Sequence, residues 1–408
     1  MTTPPDEGRD HRVDVAHISY WPPVTPGSYN QSVGRLVQRD LGLRQLLIAS
    51  DVPGDFRQGQ LPNLRLVPSV PTGRARRAAY RFSRRSALDR WAASRSPEWA
   101  TLHRGAVEVC REVRPRLVVV WDDVRLAVRL ARDPRIGPVV LSQHGTRYDL
   151  PALVDEAVYR SDLLAGLVVL SERARAANEV AGPIVPAVSV IPNAVDTETF
   201  RPVSADERVV RRHELGLGDG PVGAVVGRLR DIKGVHIALE AWALVRRRHP
   251  DALLVVVGDG DPDYTEQLHR RAQQPDLAGA VRFRPPCSSD EVARILQAAD
   301  VLLFPTYAPE GMPVIVLEAM ASGVPVIGHD FVSRTEIAEP EQGLRWVPRD
   351  RPDLLAAEVE RVVTDPDLRA AYGSAARGVA VDGFSFDTYA ARCRQLFLER
   401  LADGSGAG

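Results

Sequence analysis

The chain has 408 residues, 44% of them hydrophobic and 26% charged, and its 52 basic side chains nearly balance 53 acidic ones. This length favours two domains, and the near-zero net charge argues against a nucleic-acid partner recognised by the overall field of the protein. Three widely spaced cysteines, Cys110, Cys287 and Cys393, fit neither a disulfide framework nor a zinc site, so we expect a reducing, cytoplasmic location.

Short β-branched runs alternate with helical stretches along the chain, which is typical of parallel sheets formed from strand–helix–strand units. In the first half we predict strands at Val13–Ser19, Leu46–Ala49, Leu117–Trp121, Pro138–Ser142, Gly166–Leu170 and Val188–Ile191, and helices at Gln31–Leu41 and Glu98–Val113. In the second half we predict strands at Val222–Val226, Ala252–Val257, Val281–Arg284, Val301–Pro305 and Pro325–Gly328, and helices at Gly234–Arg247, Tyr264–Gln273, Ser289–Ala298, Pro313–Ser322, Arg351–Thr364 and Asp367–Ala380. The predicted fold class is α/β, with two Rossmann-like doubly wound parallel-sheet domains and a cleft between them.

Composition also predicts how the chain is divided. Residues 1–12 are polar and predict a disordered tail without a signal peptide, followed by a first domain over 13–200. The stretch 201–220 is rich in proline and acidic residues, which predicts a linker. We predict that a second domain follows over residues 221–383. Residues 384–402 predict a terminal helix, and no apolar run is long enough to span a membrane.

The densest group of candidate functional residues lies between Pro309 and Pro325. Gly311 permits close backbone approach and Pro313 suits a first helical position, so free amides at the helix start would attract anionic or hydroxyl-rich ligands. Glu310 precedes this helix and Glu318 lies within it, which allows the two carboxylates to bind different hydroxyl pairs, one on a sugar and one on a ribose. The alternative is that both are ordinary charges of a helix surface.

A second group follows the predicted strand Val222–Val226. Gly227-Arg228 end that strand, and Lys233-Gly234 open the next helix. Arg228 and Lys233 would converge on a diphosphate and stabilise its charge as it leaves, without a metal ion. Lys233 is the only lysine of the chain, which is informative because an ammonium and a guanidinium are not interchangeable at a tight phosphate site. Taken alone, bases at a helix start are common.

Three weaker signals complete the candidates. The segment Gly27-Ser28-Tyr29-Asn30 forms a small-residue loop after the first strand but lacks the three-glycine dinucleotide fingerprint. His144 follows a predicted strand, where a structural and a functional role are equally plausible. Between Arg74 and Arg95 there are eight arginines, which favour a solvated surface and, as the alternative, peripheral contact with a membrane or an anionic acceptor.

Together the residues resemble the retaining family-4 glycosyltransferases of the GT-B fold, over nearly the whole chain. The motifs appear in the order of that family: Ile-Pro-Asn-Ala-Val-Asp at 191–196, Gly-Arg-Leu-x₃-Lys-Gly at 227–234, Val-Val-Gly-Asp-Gly at 256–260, Val-Arg-Phe at 281–283, Ala-Ala-Asp-Val at 298–301, Glu-x₇-Glu at 310–318 and Phe-Ser-Phe at 384–386. The resemblance implies that the terminal helix crosses back onto the N-terminal domain, which would bind the acceptor, while the C-terminal domain binds the nucleotide sugar.

The same resemblance implies roles for individual residues. The donor would be bound by Gly27, Ser28, Arg228, Lys233, Arg284, Gly311, Met312, Pro313 and Glu318. The residues implied in catalysis are His144, Arg228, Lys233 and Glu310, and those beside the acceptor are Asn30 and Arg147. No cofactor and no metal are expected, because the nucleotide-diphosphate sugar is a co-substrate and retention by front-face attack needs no protein nucleophile.

Departures from the family pattern leave the substrates open. Ser28 and Ala194 replace glycines, Met312 replaces a phenylalanine, and Pro313 removes an amide, so the transferred hexose or N-acetylhexosamine is undetermined. A UDP-sugar is favoured over a GDP-sugar, and the arginine-rich, actinomycete-like composition favours a small-molecule acceptor, as in antibiotic biosynthesis. The alternatives are a lipid or cell-envelope acceptor, a nucleotide-sugar epimerase, a pseudo-glycosyltransferase and a catalytically silent partner subunit.

Overall fold

A computed structural model describes residues 13–19, 28–50, 63–67, 97–144, 163–180, 187–307, 310–329, 336–339 and 342–405. The chain divides into two compact units. Unit 1 comprises Met1–Ile191 together with Ala390–Gly408, and unit 2 comprises Pro192–Tyr389. The division falls between Ile191 and Pro192 rather than at residue 200, because residues 195–201 hydrogen-bond to the second unit.

The described residues of unit 1 form a seven-stranded sheet in which every pairing is parallel. Its strands are β1 (Val15–Ser19), β2 (Gln45–Ser50), β3 (Leu64–Val67), β4 (Leu117–Trp121), β5 (Val139–Ser142), β6 (Gly166–Val169) and β7 (Val188–Val190), in the spatial order β3-β2-β1-β4-β5-β6-β7. The described helices are α1 (Ser28–Gln38), α2 (Pro97–Val113), α3 (Val124–Ala131) and α4 (Glu172–Val180). Strands β1, β4 and β5 are buried at every position, as expected for a parallel sheet covered on both faces.

Unit 2 repeats this architecture, with six parallel strands among its described residues. They are β8 (Val222–Val226), β9 (Leu253–Val257), β10 (Val281–Arg284), β11 (Val301–Phe304), β12 (Val326–His329) and β13 (Leu344–Val347), in the order β10-β9-β8-β11-β12-β13. The helices are α5 (Ala205–Glu214), α6 (Val235–Arg246), α7 (Pro262–Ala272), α8 (Ser289–Ala298), α9 (Val314–Ala321), α10 (Pro352–Thr364) and α11 (Pro366–Phe384). The predicted α/β class with two Rossmann-like parallel-sheet domains is confirmed.

The terminal helix α12 (Phe386–Ser405) begins in unit 2 and ends in unit 1. Its Arg394 donates from Nε to the Leu41 carbonyl at 2.9 Å, and the ring of Phe397 meets His17 of β1 edge-on at 5.5 Å. Residues from the end of the chain therefore complete the packing of the first unit. No helix in the described parts of the chain is long and apolar enough to cross a membrane.

The stretch that we predicted to be a linker, 201–220, contains helix α5. Ser204 and Glu207 form a reciprocal capping box at its start, which satisfies backbone donors that a helix start leaves open. Arg208 and Arg212 form ion pairs with the buried Asp300, at 2.6 and 2.7 Å. The helix buries no residue, and its two valines, Val209 and Val210, are exposed, so it is held by charge rather than by an apolar face.

Candidate functional site

Six of the nine predicted donor-binding residues, Arg228, Lys233, Gly311, Met312, Pro313 and Glu318, follow two neighbouring strands of unit 2. Strands β8 and β11 are adjacent in the sheet, and the strands that follow each of them add on opposite sides. This is a topological switch point, where open α/β sheets bind ligands beyond the carboxyl ends of their strands. Lys233 follows β8 and Glu310 follows β11, so both candidates lie at this switch point.

Glycines bring the loops after β8 and β9 together at this edge. Gly258 has a φ of 142°, and a Cβ there would lie 1.9 Å from the Gly227 carbonyl oxygen. The amide of Leu229 donates to the Asp259 carbonyl at 2.8 Å. Arg228, between these contacts, is exposed at the end of the strand. The predicted glycine-and-arginine turn therefore places a guanidinium at the carboxyl edge.

The sequence predicted that Lys233 and Gly234 open a helix. In the structure Lys233 lies instead in a 3₁₀ turn that precedes the helix. The turn spans Asp231–Lys233, and helix α6 begins at Val235. Gly234 separates the two with a left-handed backbone, φ 66°. A Cβ at this position would lie 2.0 Å from the Pro305 carbonyl oxygen at the end of β11. The close approach of the two segments explains the turn, and only glycine fits it.

Lys233 and Glu310 form an ion pair through Nζ and Oε1. Their side chains are 29% and 17% exposed, so the pair is partly shielded from water and remains open to a ligand. The amide of Tyr307 donates to the Ile232 carbonyl at 3.0 Å, and the hydroxyl of Thr306 donates to the same oxygen at 3.2 Å. These bonds fix the segment after β11 against the 3₁₀ turn that carries Lys233.

The loop before helix α9 is buried at Gly311, Met312 and Pro313. Pro313 is the N-cap residue, with φ −71° and ψ 116°, and the helix begins at Val314; our placement of Pro313 at the first helical position was wrong by one residue. Its carbonyl accepts from the Val316 amide at 3.1 Å, the first bond of the helix. Glu318 is half-buried within α9.

Arg284, predicted to contact the donor, lies at the end of β10. Its Nη2 donates to the Leu215 carbonyl at 3.1 Å, immediately after helix α5. In this structure the guanidinium therefore ties α5 to the sheet, and its role towards a donor stays a prediction.

The corresponding edge of unit 1 carries stacked rings. His144, just after β5, stacks on Trp121 at the end of β4, with centroids 5.1 Å apart and planes 16° apart. Its amide donates to Asp122 Oδ1 at 2.6 Å, and Asp122 itself has a φ of 58°. Burial lowers the pKa of His144, an effect that the Asp122 charge opposes. The structure thus holds His144 on a rigid support and favours its neutral form.

A second histidine continues this stack. The ring centroid of His17, in β1, lies 6.0 Å from that of Trp121, and His17 is fully buried. Gln45 donates from Nε2 to the Leu36 and Arg39 carbonyls, so its Oε1 must accept the bond from His17 Nε2 at 3.0 Å. Burial lowers the pKa of His17 to about 4.

Other predicted residues are placed only in part. Ser28 and Asn30 lie in the first turn of α1 and not in a loop, because small polar residues also favour a helix start. Gly27, Arg147 and the segment Arg74–Arg95 lie outside the described residues. The three cysteines are free, and the described residues hold no group of three His, Cys, Asp or Glu that could bind a metal.

The sequence analysis did not predict the residues that hold the site in place. Thr306, Asn193, Trp121 and Asp122 contact the predicted residues or their loops. Of these, Asn193 carried a signal, because it lies in the Ile-Pro-Asn-Ala-Val-Asp segment.

Comparison with solved structures identifies the fold as GT-B. Sucrose-phosphate synthase from Thermosynechococcus elongatus superposes with a TM-score of 0.77 and 19% identity, covering 96% of this chain and all of that one. HepE of Anabaena in complex with UDP and glucose gives a TM-score of 0.73, again with 19% identity and the same coverage. At this identity the likeness establishes the fold.

Residues 210–379, which lie in unit 2, match the family described as "Glycosyl transferases group 1". This match confirms the glycosyltransferase resemblance inferred from the motifs, while family 4 and retention stay predictions. A D-inositol 3-phosphate glycosyltransferase of Streptomyces bingchenggensis is 32% identical over 222 residues, 52% of this chain and 48% of the relative. A GDP-mannose-dependent α-(1-6)-phosphatidylinositol monomannoside mannosyltransferase of Mycolicibacterium smegmatis is 32% identical over 220 residues, 52% of this chain and 57% of the relative. The chain thus spans about half the length of the curated relatives it matches.

Proposed function

We propose that the protein is a glycosyltransferase that transfers a sugar from a nucleotide-diphosphate donor, bound by unit 2, to an acceptor, bound by unit 1. The observation that carries this proposal is the ion pair of Lys233 and Glu310 at the switch point of the sheet. It lies inside the segment that matches the group 1 glycosyl transferases. An ammonium suits a diphosphate, and a carboxylate suits sugar hydroxyls.

The chemistry follows from the charge that develops on the leaving diphosphate. Lys233 and the exposed Arg228 would stabilise this charge as fixed cations, which is why we propose transfer without a metal ion. Glu310 would then accept hydrogen bonds from hydroxyls of the transferred sugar, and Glu318 from the ribose. We propose that transfer proceeds with retention and that the protein supplies no covalent nucleophile. The bond between the sugar's anomeric carbon and the phosphate oxygen breaks, a bond to the acceptor oxygen forms on the same face, and the leaving phosphate takes the proton of the acceptor hydroxyl.

The identities of donor and acceptor are the finer part of the proposal. The names of the two relatives share inositol in the acceptor, and one of them specifies GDP-mannose. A UDP-sugar or a GDP-sugar is therefore the donor class to test. Inositol phosphates join the small-molecule acceptors favoured in the sequence analysis, and phosphatidylinositol mannosides represent the lipid acceptors that were its alternative.

The first experiment is a thermal-shift screen of UDP-, GDP- and dTDP-sugars with the full chain, since a ligand that binds only the folded state raises Tm. Transfer from the stabilising donor is then measured for the wild type, Lys233→Ala and Glu310→Gln. We expect both variants to lose at least about 100-fold in kcat/KM.

Glu360→Gln is the matched control, because Glu360 also forms an ion pair, with Arg248, in unit 2. It should retain wild-type transfer. Unchanged transfer in both site variants would overturn the proposal, as would conversion of the donor sugar, seen by NMR, when no acceptor is present.

A further inference from the structure

Asn193 reaches the loop of the candidate sugar site from a segment far away in sequence. The segment is fixed on unit 2: the amide of Val195 donates to the Phe384 carbonyl at 2.9 Å, and its carbonyl accepts from the Phe386 amide at 3.1 Å. Arg377 donates to the carbonyls of Thr197 and Phe200 in the same segment, at 3.1 and 2.7 Å. The backbone two residues beyond Asn193 is therefore held, which limits where its side chain can go.

The side-chain amide of Asn193 donates from Nδ2 to the Met312 carbonyl oxygen at 2.8 Å. Met312 is 4% exposed, so its carbonyl cannot readily exchange this bond for water. The bond connects residues 119 positions apart, and it fixes the peptide plane between Met312 and Pro313. It also restricts the backbone dihedral angles of Met312, and therefore the direction in which the N–H of Met312 points.

Pro313 increases the importance of this restriction. Proline has no backbone N–H, so Pro313 itself offers a ligand no amide, and the amides of Gly311 and Met312 lie directly before it. With fewer donors, a misdirected Met312 amide would cost a larger share of the contacts that a sugar could make here. Preorganised donors cost no reorganisation when a ligand binds.

We infer that Asn193 is a positioning residue for the sugar moiety of the donor, acting through the Met312 peptide. This inference rests on the proposed function. Asn193 would not contact the nucleotide. It would determine how much more tightly the loop binds a nucleotide-diphosphate sugar than the nucleotide diphosphate alone.

The test measures two dissociation constants for each form of the full-length protein by calorimetry. One is for the free nucleotide diphosphate, UDP or GDP, and the other is for the matching UDP- or GDP-sugar that binds the wild type. Their ratio reports what the sugar contributes. For Asn193→Ala and Asn193→Asp we expect this ratio to fall about three- to tenfold, the value of one hydrogen bond, with nucleotide-diphosphate affinity unchanged within about twofold. The aspartate should fall further, because a carboxylate cannot donate to a carbonyl and would face it as a second acceptor.

Gln297→Ala is the matched control. Gln297 is also a buried side-chain amide that donates to a backbone carbonyl of this segment, Arg201 at 3.0 Å, but it does not contact the sugar loop. It should lower Tm without changing the ratio. Equal ratios in the Asn193 variants and the wild type would overturn the inference, and so would an equal loss for nucleotide and nucleotide sugar, which marks a purely structural role. If the wild type binds no nucleotide sugar, the proposed function itself fails, and the inference with it.

Discussion

The two units share one topology but differ in the chemistry of their carboxyl edges. In unit 2 the edge carries opposite charges, Lys233 and Glu310, and both side chains stay partly exposed. In unit 1 the edge carries the stacked rings of Trp121 and His144, and burial lowers the pKa of the histidine. One edge is therefore suited to an anion and the other to a neutral group.

This contrast shows that the sheet determines where the site lies, whereas the residues at the strand ends and in the loops determine its chemistry. A diphosphate needs cations, which would be costly to bury without a partner; Glu310 is that partner in this structure. A neutral imidazole can exchange hydrogen bonds with hydroxyl groups without adding charge. Each of the following changes tests one side of this comparison.

The largest effect is expected for Gly234→Ala on the charged edge. The new Cβ would meet the Pro305 carbonyl at 2.0 Å, and alanine would have to adopt a φ of 66°. We expect a loss of about 3 kcal/mol in the free energy of unfolding, measured in urea. Gly216→Ala is the control, because Gly216 has a similar φ of 68° but no atom within 4 Å of the added carbon. Equal losses in the two variants would show that the contact with Pro305 is unimportant.

Lys233→Arg should have the next largest effect on the charged edge. The positive charge is kept, but a planar guanidinium replaces a compact ammonium at a short contact with Glu310. We expect kcat/KM for transfer to fall about tenfold, or about 1.4 kcal/mol. Wild-type kinetics would show that any cation serves at this position, and Arg228→Lys makes the reciprocal comparison.

On the aromatic edge, His17 should make stability depend on pH. Its pKa is about 4 when folded and about 6.5 when unfolded, so the unfolded chain binds a proton first as the pH falls. Stability is then complete above about pH 6.5 and is lost progressively down to about pH 4, by at most about 1.4 kcal/mol per pH unit. Urea unfolding of His17→Phe should show a slope shallower by up to one proton over this interval. An identical slope in variant and wild type would contradict the assignment.

The smallest effect is expected for Trp121→Phe. The shorter ring should keep part of the stack with His144 and cost about 1 kcal/mol of stability. Because His144 would lose some of its support, we also expect a lower kcat with unchanged nucleotide binding. A change in nucleotide affinity would link the two edges and break the comparison.

Much of the fold could be predicted because buried parallel strands form continuous apolar runs. Strands β4 and β8 are such runs and match their predicted bounds without change. Strand β10 also matches, although it carries two arginines and none of its residues is fully buried. Strands β3 and β13, each a four-residue edge strand with one arginine, Arg65 or Arg345, were not predicted. Helix α5 was missed because its stability comes from ion pairs with Asp300, and these join residues almost a hundred positions apart.

The candidate site could be predicted only as far as local sequence carries it. Lys233 and Glu310 were each identified from their own segments, but their ion pair depends on β8 and β11 being neighbours. Lys233 lies in a separate turn because Gly234 is left-handed where it approaches Pro305. This approach joins two segments distant in sequence, so neither segment alone predicts it. The bond from Asn193 to Met312 is likewise a product of tertiary structure.

The shared helix α12 has a consequence for biosynthesis. Unit 2 is one continuous stretch, Pro192–Tyr389, whereas unit 1 needs residues from Ala390 onward. On the ribosome the first unit is made first but must wait for Arg394 and Phe397, whose partners are Leu41 and His17. The unit that emerges second can therefore finish folding first, and a nascent chain stalled before Ala390 would display an incomplete first unit to chaperones and proteases.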